Sequence, residues 1–482
     1  MTTVAEHEPS IRRATLVWEA TALAMFLVLA CLGLAMWAAQ GDLAAFSPPR
    51  FYSFMTLHGL GMSGAMFISS LAAVRYLLST RYGITVRGLW GVYGLVLLGV
   101  VGLIAATVIG RFAPGWYLLY PMALVNATWP GWATPLALTG LVTLGTGWLV
   151  FQLLLLAGLG RRYGFRNLLG WQYFRKGPVE VEIPPIALIT TVSLIAGVLT
   201  VIVGAVFLAF NLVDWYTGRT AFDPLLMKNM VFLFGHTVVN VTMYLGIAAV
   251  YELMPEYSGR SWPTNRAVVL SWNAALILVI FAYLHHQYMD FVQPASFQYL
   301  GQIASYGSAV PATVITVFGL IAQIYRSGLR WDFVPLTFLL GIVGWVIGGF
   351  AAVVDSTIAV NLSFHNTLWV PGHFHTYFLV GYLLLLFGIV YRLTRSPAEK
   401  AGKTALALMV TGGYGFVLMF YVGGALGVPR RYATYQIVPL DNIKQVGTVT
   451  AELAAAFAVL FLFGFLVYLA TLLAHRPAAE TA

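Results

Sequence analysis

Six of the nine histidines in this chain lie inside hydrophobic stretches: His58, His236, the adjacent pair His285 and His286, and His373 with His375. An ionisable side chain inside a bilayer is costly, and where one persists it marks a functional site by default. Imidazole is the commonest side-chain ligand for transition metals and also ligates heme iron. Six imidazoles in one membrane protein therefore imply metal chemistry. Their spacings sort them. His373 and His375 sit about 200° apart on a helix that turns about 100° per residue, so they face opposite sides and serve different cofactors. His285 and His286 lie about 100° apart and can converge on one ion near a helix end. A histidine from another helix, such as His236, would complete a three-histidine site. His58 is then left to pair with either His373 or His375 across a porphyrin. The other would hold a second heme whose open face points at the three-histidine metal.

The elements that must position these rings follow from composition. Of 482 residues, 60% are hydrophobic and only 9% charged, whereas charged residues make up about a quarter of a soluble domain. Apolar runs long enough to cross a bilayer occur twelve times, at about 14–40, 52–80, 88–110, 132–159, 184–212, 224–254, 266–290, 302–326, 333–359, 366–393, 404–427 and 446–474. The expected fold is an all-α integral membrane protein, a bundle of 12 transmembrane helices forming one domain over residues 1–482. With both termini cytoplasmic, the inner loops collect 19 of the 26 Lys and Arg residues and the outer loops the other seven. That asymmetry obeys the positive-inside rule and accounts for the net charge of +9, so no nucleic-acid partner is implied. The first run is too long for a signal-peptide core and is expected to be retained. Cys31 is the only cysteine, which excludes a disulfide framework, covalent heme attachment and a cysteine-ligated dinuclear copper centre within this chain.

This topology puts all six histidines in the outer half of the membrane, on four helices. One such histidine could be an ordinary buried ring satisfied by a helix–helix hydrogen bond. Six at a common depth argue for cofactors. A twelve-helix secondary transporter is the non-enzymatic alternative, but that class is built from internal repeats around a midplane site, and none is evident here. An electron-relaying heme protein would leave four of the six rings unused.

The motifs resemble the catalytic subunit I of heme–copper oxidases, over nearly the whole chain. The stretch from His365 through Trp369, Pro371 and Gly372 to His373, Phe374 and His375 resembles the helix-10 signature of the B-type branch. Tyr283-Leu284-His285-His286-Gln287-Tyr288-Met289-Asp290 is similar to that branch's helix-7 end, and Val310-Pro311 recurs in helix 8. Phe234-Gly235-His236 and Leu57-His58-Gly59 resemble the helix-6 and helix-2 motifs, and Val428-Pro429-Arg430-Arg431 the outer loop that pairs heme propionates. The resemblance implies that His58 and His375 ligate a low-spin b-type heme, that His373 ligates a high-spin heme, and that His236, His285 and His286 hold a non-heme metal. It further implies that Arg430, Arg431 and His365 meet the propionates. It places the protein in a prokaryotic cytoplasmic (inner) membrane as part of a respiratory chain.

The chain departs from the B-type pattern at one position. Oxygen reductases of that branch carry a redox-active tyrosine four residues after the helix-6 histidine, and here that residue is Asn240. Residues four apart share a helix face, so Asn240 is expected to line the metal site, where an amide can hydrogen-bond but cannot be oxidised. Reduction of two NO to N2O and water needs only two electrons and two protons, and nitric oxide reductases within the superfamily perform it. The expected activity is therefore NO reduction, with O2 reduction to water by a cytochrome c or quinol oxidase as the alternative. Tyr244, Tyr283 and Tyr288 lie near enough to the site to serve as a substitute redox tyrosine, Tyr244 foremost. Ile247, Ala312 and Ile315 stand where the branch carries hydroxyl groups for an inner proton path, while Tyr251 and Ser305 remain. Without a carboxylate near the three histidines, copper is favoured over iron. Electrons are expected from an outer-face subunit with a dinuclear copper or c-type heme, fed by cytochrome c or a cupredoxin, with direct quinol oxidation as the alternative.

Overall fold

In the computed structural model, which describes residues 8–125 and 128–473, twelve helices are long and apolar enough to span a membrane. They are α1 (Glu8–Gln40), α2 (Pro48–Tyr82), α3 (Leu89–Ile109), α4 (Ala133–Tyr163), α5 (Pro185–Thr217), α6 (Pro224–Ser258), α7 (Arg266–Gln287), α8 (Ala295–Ile324), α9 (Phe333–Asp355), α10 (Trp369–Thr394), α11 (Glu399–Ala425) and α12 (Asp441–Leu473). Each coincides with a predicted span. Position 474, the last of the twelfth, lies outside the described residues. The helices run past the apolar runs because caps, and not hydropathy, end them. Prolines at their first positions start α2 and α5, and left-handed Gly83 and Gly218 stop them. The Asn265 side chain caps α7 by accepting from the Val268 N–H at 3.0 Å.

Burial ranks the helices by what they carry. Within their most apolar windows α2 and α10 are 72% and 78% buried, against 28% for α8. The most enclosed helices are thus those that bear His58 and the His373/His375 pair.

Two compact units divide the chain. The first, built from Met1–Gly33, Phe46–Ala248 and Pro263–Ile315, holds His58, His236, Asn240, His285 and His286. Its core includes Leu57, Phe112, Ala133, Phe207 and Met227. The second, built from Leu34–Ala45, Ala249–Trp262 and Thr316–Ala482, holds His365, His373, His375, Arg430 and Arg431. Its core includes Trp37, Phe416, Phe420 and Tyr435.

Regular α-helix breaks at two places that matter. α7 turns into a 3-10 segment at Tyr283–Gln287, the segment that carries His285 and His286. α10 switches to π-helix over Thr376–Tyr382, directly after His375. Such switches gather at functional sites because they re-aim side chains that a uniform helix would direct elsewhere. The π segment is met by α9 at Gly344, where a Cβ would lie 2.0 Å from the Val380 carbonyl oxygen. Only glycine allows that backbone approach.

Candidate metal centre

α6 carries His236, and the 3-10 turn that ends α7 brings His285 and His286 against it. One nitrogen from each ring lies within 4.8 Å of the others. The ring centroids of His236 stand 5.1 Å from His285 and 5.5 Å from His286, with interplanar angles of 82° and 67°. Two metal–nitrogen bonds of about 2.0–2.1 Å span at most about 4.2 Å, so closing this triangle on an ion requires movements under about 1 Å. The turn type is what makes the convergence work. In a 3-10 turn neighbouring side chains are about 120° apart, and the two rings splay with centroids 4.1 Å apart and a 44° tilt.

The hydrogen bonding of His285 tests whether the set suits a metal. Its ring is buried, and Nδ1 lies 3.0 Å from Ser305 Oγ. That hydroxyl donates to the Gly301 carbonyl at 2.7 Å, so it must accept from His285, which puts the imidazole proton on Nδ1. The lone pair is then on Nε2, which is buried and has no hydrogen-bond partner. A neutral ring oriented through its second nitrogen, with the other left bare, is the arrangement a metal ligand needs. Loss of an outer-shell partner of this kind typically costs about 10–100-fold in metal affinity. Ser305→Ala is accordingly expected to weaken the non-heme metal by that factor, read by metal titration with heme content as the control. Sequence reading treats Ser305 only as a surviving hydroxyl of a proton path. Its bond to His285 requires the packing of α8 on the turn.

Further contacts tie the turn to α6. The Phe232 ring, one turn before His236, stacks on His286 at 5.3 Å and 24°. Lys228 Nζ sits 6.0 Å over that ring and binds both oxygens of Asp290 at 2.6 Å. Asp290 lies four residues after His286, so one ion pair joins the end of the turn to the helix bearing His236. This pair has no signature in sequence, since 62 positions separate its partners.

Asn240 lies beside His236. Its Nδ2 donates to the His236 carbonyl at 2.8 Å and is 3.4 Å from His236 Nε2. Among the described residues the cluster contains three histidines and no carboxylate. Tyr244, two turns along α6 from His236, is buried with its ring edge-on to Trp272 at 5.2 Å. The Tyr283 hydroxyl is taken up by Asn229 at 3.0 Å, and Tyr288 is fully buried. Farther along, Tyr251 bonds Thr316 at 3.0 Å, one turn beyond Ala312. Tyr251, which the sequence reading kept, thus has a hydroxyl partner in Thr316 that it did not name, while Ile247 and Ala312 are fully buried apolar positions.

His58 and His375 are oriented in the same manner, whereas Nδ1 of His373 is buried and meets no hydrogen-bonding group. His58 Nδ1 meets the Leu29 carbonyl at 2.8 Å and His375 Nδ1 meets the Pro371 carbonyl at 2.7 Å. A carbonyl only accepts, so each ring is protonated on Nδ1 and offers Nε2 as an electron-pair donor. Gly33 makes room for the first: a Cβ there would be 2.9 Å from His58 Cε1. His375 stacks on Phe420 at 4.7 Å and 22°, and Trp37 meets Phe420 edge-on at 4.7 Å. Just before α10, the loop carrying the arginines is clamped by Leu368 N–H to Val428 O and Arg430 N–H to Asn366 O, both 2.9 Å. A Thr367–Pro429 bridge lies between them. His365, Arg430 and Arg431 are all half-buried around this clamp. Arg431 adopts a left-handed φ of 69°. Two guanidinium groups held in this way suit carboxylate groups.

The comparisons agree with this architecture. Residues 13–457 match the family described as cytochrome C and quinol oxidase polypeptide I. Cytochrome c oxidase polypeptide 1 of Halobacterium salinarum is 26% identical over 456 residues, covering 86% of this chain and 70% of that protein. The heme-copper oxidase subunit I+III of Aeropyrum pernix is 29% identical over 234 residues, 46% of this chain and 28% of that protein. Cytochrome c oxidase subunit 1 of Thermus thermophilus is 26% identical over 283 residues, 52% of this chain and 50% of that one. The chain thus spans half or less of the length of the last two. A chain from a heme-copper terminal oxidase dimer solved by cryo-EM superposes with a TM-score of 0.83 at 22% identity, covering 98% of this chain and 85% of that one. With its twelve helices and its family match in hand, the chain belongs to the cytochrome c and quinol oxidase polypeptide I family.

Proposed function

We propose that this subunit reduces NO at a heme/non-heme metal centre, joining two NO with two electrons and two protons to give N2O and one water. The observation that carries this reading is Asn240, whose amide stands against His236 where the oxygen-reducing members of the branch have an oxidisable phenol. When bound, the two hemes and the non-heme ion supply the electrons and the positive charge that attract the N–O groups. The chain's own residues do the rest. His236, His285 and His286 would hold the ion, and three imidazoles without a carboxylate favour copper over iron. Asn240 Nδ2 offers an N–H to an oxygen arriving beside His236. His58 and His375 would hold the low-spin heme, and His373 the high-spin heme. Arg430 and Arg431, with His365, bind propionates. Tyr244 is a neighbouring phenol for proton transfer. A partner subunit with a dinuclear copper or c-type heme supplies electrons from cytochrome c or a cupredoxin, or a quinol does so directly.

O2 reduction to water is the second reading, favoured by the names of the cytochrome c oxidase relatives. Purified complex given NO anaerobically, or O2 alone, separates the two. N2O formation faster than O2 consumption is expected, and robust O2 turnover with negligible N2O would end the NO assignment. In the same assays Asn240→Tyr should retain both hemes and the non-heme metal, because Asn240 lines the site without ligating.

A further inference from the structure

One acidic side chain lies deep in the first unit, away from the histidines. Glu19 of α1 is fully buried. Ser69 of α2 donates to its Oε2 at 2.6 Å, and its Oε1, also buried, meets no hydrogen-bonding group. Among the described residues no cation pairs with it. A carboxylate so placed would stand in an apolar bundle on one hydrogen bond, whereas a carboxylic acid needs no counter-charge. An intramembrane acid kept under these terms is the usual mark of a proton relay.

Its surroundings lead toward the metal centre. Ser70, next to Ser69, donates across to the Thr242 carbonyl of α6 at 3.1 Å. Thr242 is two residues from Asn240 and six from His236. Beside this path Gln152 of α4 is fully buried with its amide oxygen unpartnered, and that oxygen would lie 2.1 Å from a Cβ at Gly197 of α5, a position also faced by Val241 of α6. The Trp148 indole N–H, one turn away on α4, is likewise unpartnered. Trp18, adjacent to Glu19, packs on Phe151, adjacent to Gln152, at 5.3 Å. Polar groups left this way in helices 1 and 4 are those that buried water bridges. Ser69 is eleven residues beyond His58 on α2, about 16 Å. Glu19 therefore lies well below the histidine layer, toward the end of the bundle where α1 begins.

We propose that Glu19, held by Ser69, whose chain neighbour Ser70 bonds the helix bearing His236 and Asn240, is an embedded proton donor that feeds the metal centre from the side on which α1 starts. Glu19 releases its carboxyl proton toward α6, is left as carboxylate, and regains a proton from the aqueous phase at its own end. No electron moves in this step. It rests on the reading of the site as a proton-consuming reductase and is indifferent to whether NO or O2 is reduced.

The test is redox-induced infrared difference spectroscopy on the purified complex, with turnover measured on both NO and O2. The parent should show a protonated-carboxyl C=O band, sensitive to deuteration, that Glu19→Gln abolishes and Ser69→Ala shifts. Glu19→Gln should slow turnover about tenfold or more with whichever acceptor is used, at unchanged heme and metal content. Should that variant fail to assemble, the Ser69→Ala band shift decides alone. No such band, a band indifferent to both substitutions, or parental turnover in Glu19→Gln overturns the proposal. Turnover on O2 alone would defeat the NO reading yet leave a carboxyl result standing.

Discussion

Replacing His236 with alanine is expected to empty the non-heme site and reduce acceptor turnover to background, while the low-spin heme spectrum is retained. Three rings supply all the ligand nitrogens of the cluster, all within 4.8 Å of one another. His285 and His286 share one 3-10 turn and approach from one side. His236 is the only member on a different element, so its loss leaves an ion held from one side and open to water. The penalty should exceed the roughly 10–100-fold cost of losing an outer-shell partner such as Ser305. Metal analysis with reduced-minus-oxidised spectra measures both halves of the outcome. Full metal content in His236→Ala would remove His236 from the ligand set.

The second large effect is expected at His58. His58→Ala should abolish the low-spin heme signal and with it electron delivery to the site, since no other residue on α2 offers an imidazole in that stretch. A milder version comes from Gly33. The methyl group of Gly33→Ala would press on His58 Cε1 at 2.9 Å, beside the Nδ1 atom that the Leu29 carbonyl, one turn earlier on α1, holds. The ring must tilt or give up its carbonyl bond. A shifted low-spin band with heme retained is expected for Gly33→Ala, against complete loss for His58→Ala. An unchanged spectrum in both variants would refute His58 as a ligand of the low-spin heme.

Much of this was legible in the chain itself. Twelve spans could be counted because in a bilayer every backbone group must bond within its own helix, so length and hydropathy suffice. The six histidines were legible because polar side chains are conspicuous against an apolar background. The three-histidine set could be assembled from depth and angular spacing. Asn240 could be placed beside His236 because four residues make about one turn, and the observed amide lies there.

What could not be read is equally specific. The predicted seventh span runs to 290, whereas regular helix ends at Ala282 and a 3-10 turn follows. Periodicity does not register a change in hydrogen-bond step. The Ser305–His285 bond, the Lys228–Asp290 pair, the Gly33 recess and the Glu19–Ser69 pair all join residues 20 to 62 positions apart. Each depends on which helix faces meet, and a uniformly apolar helix carries no amphipathic stripe to announce its neighbour. The sequence by itself therefore determined the fold class, the spans and which rings are candidate ligands, because these follow from residue type and helix pitch. Only the tertiary structure decided which nitrogen His58 and His285 present and what holds those rings in place, because their tautomer and orientation are set by Leu29 and Ser305, partners brought from other helices.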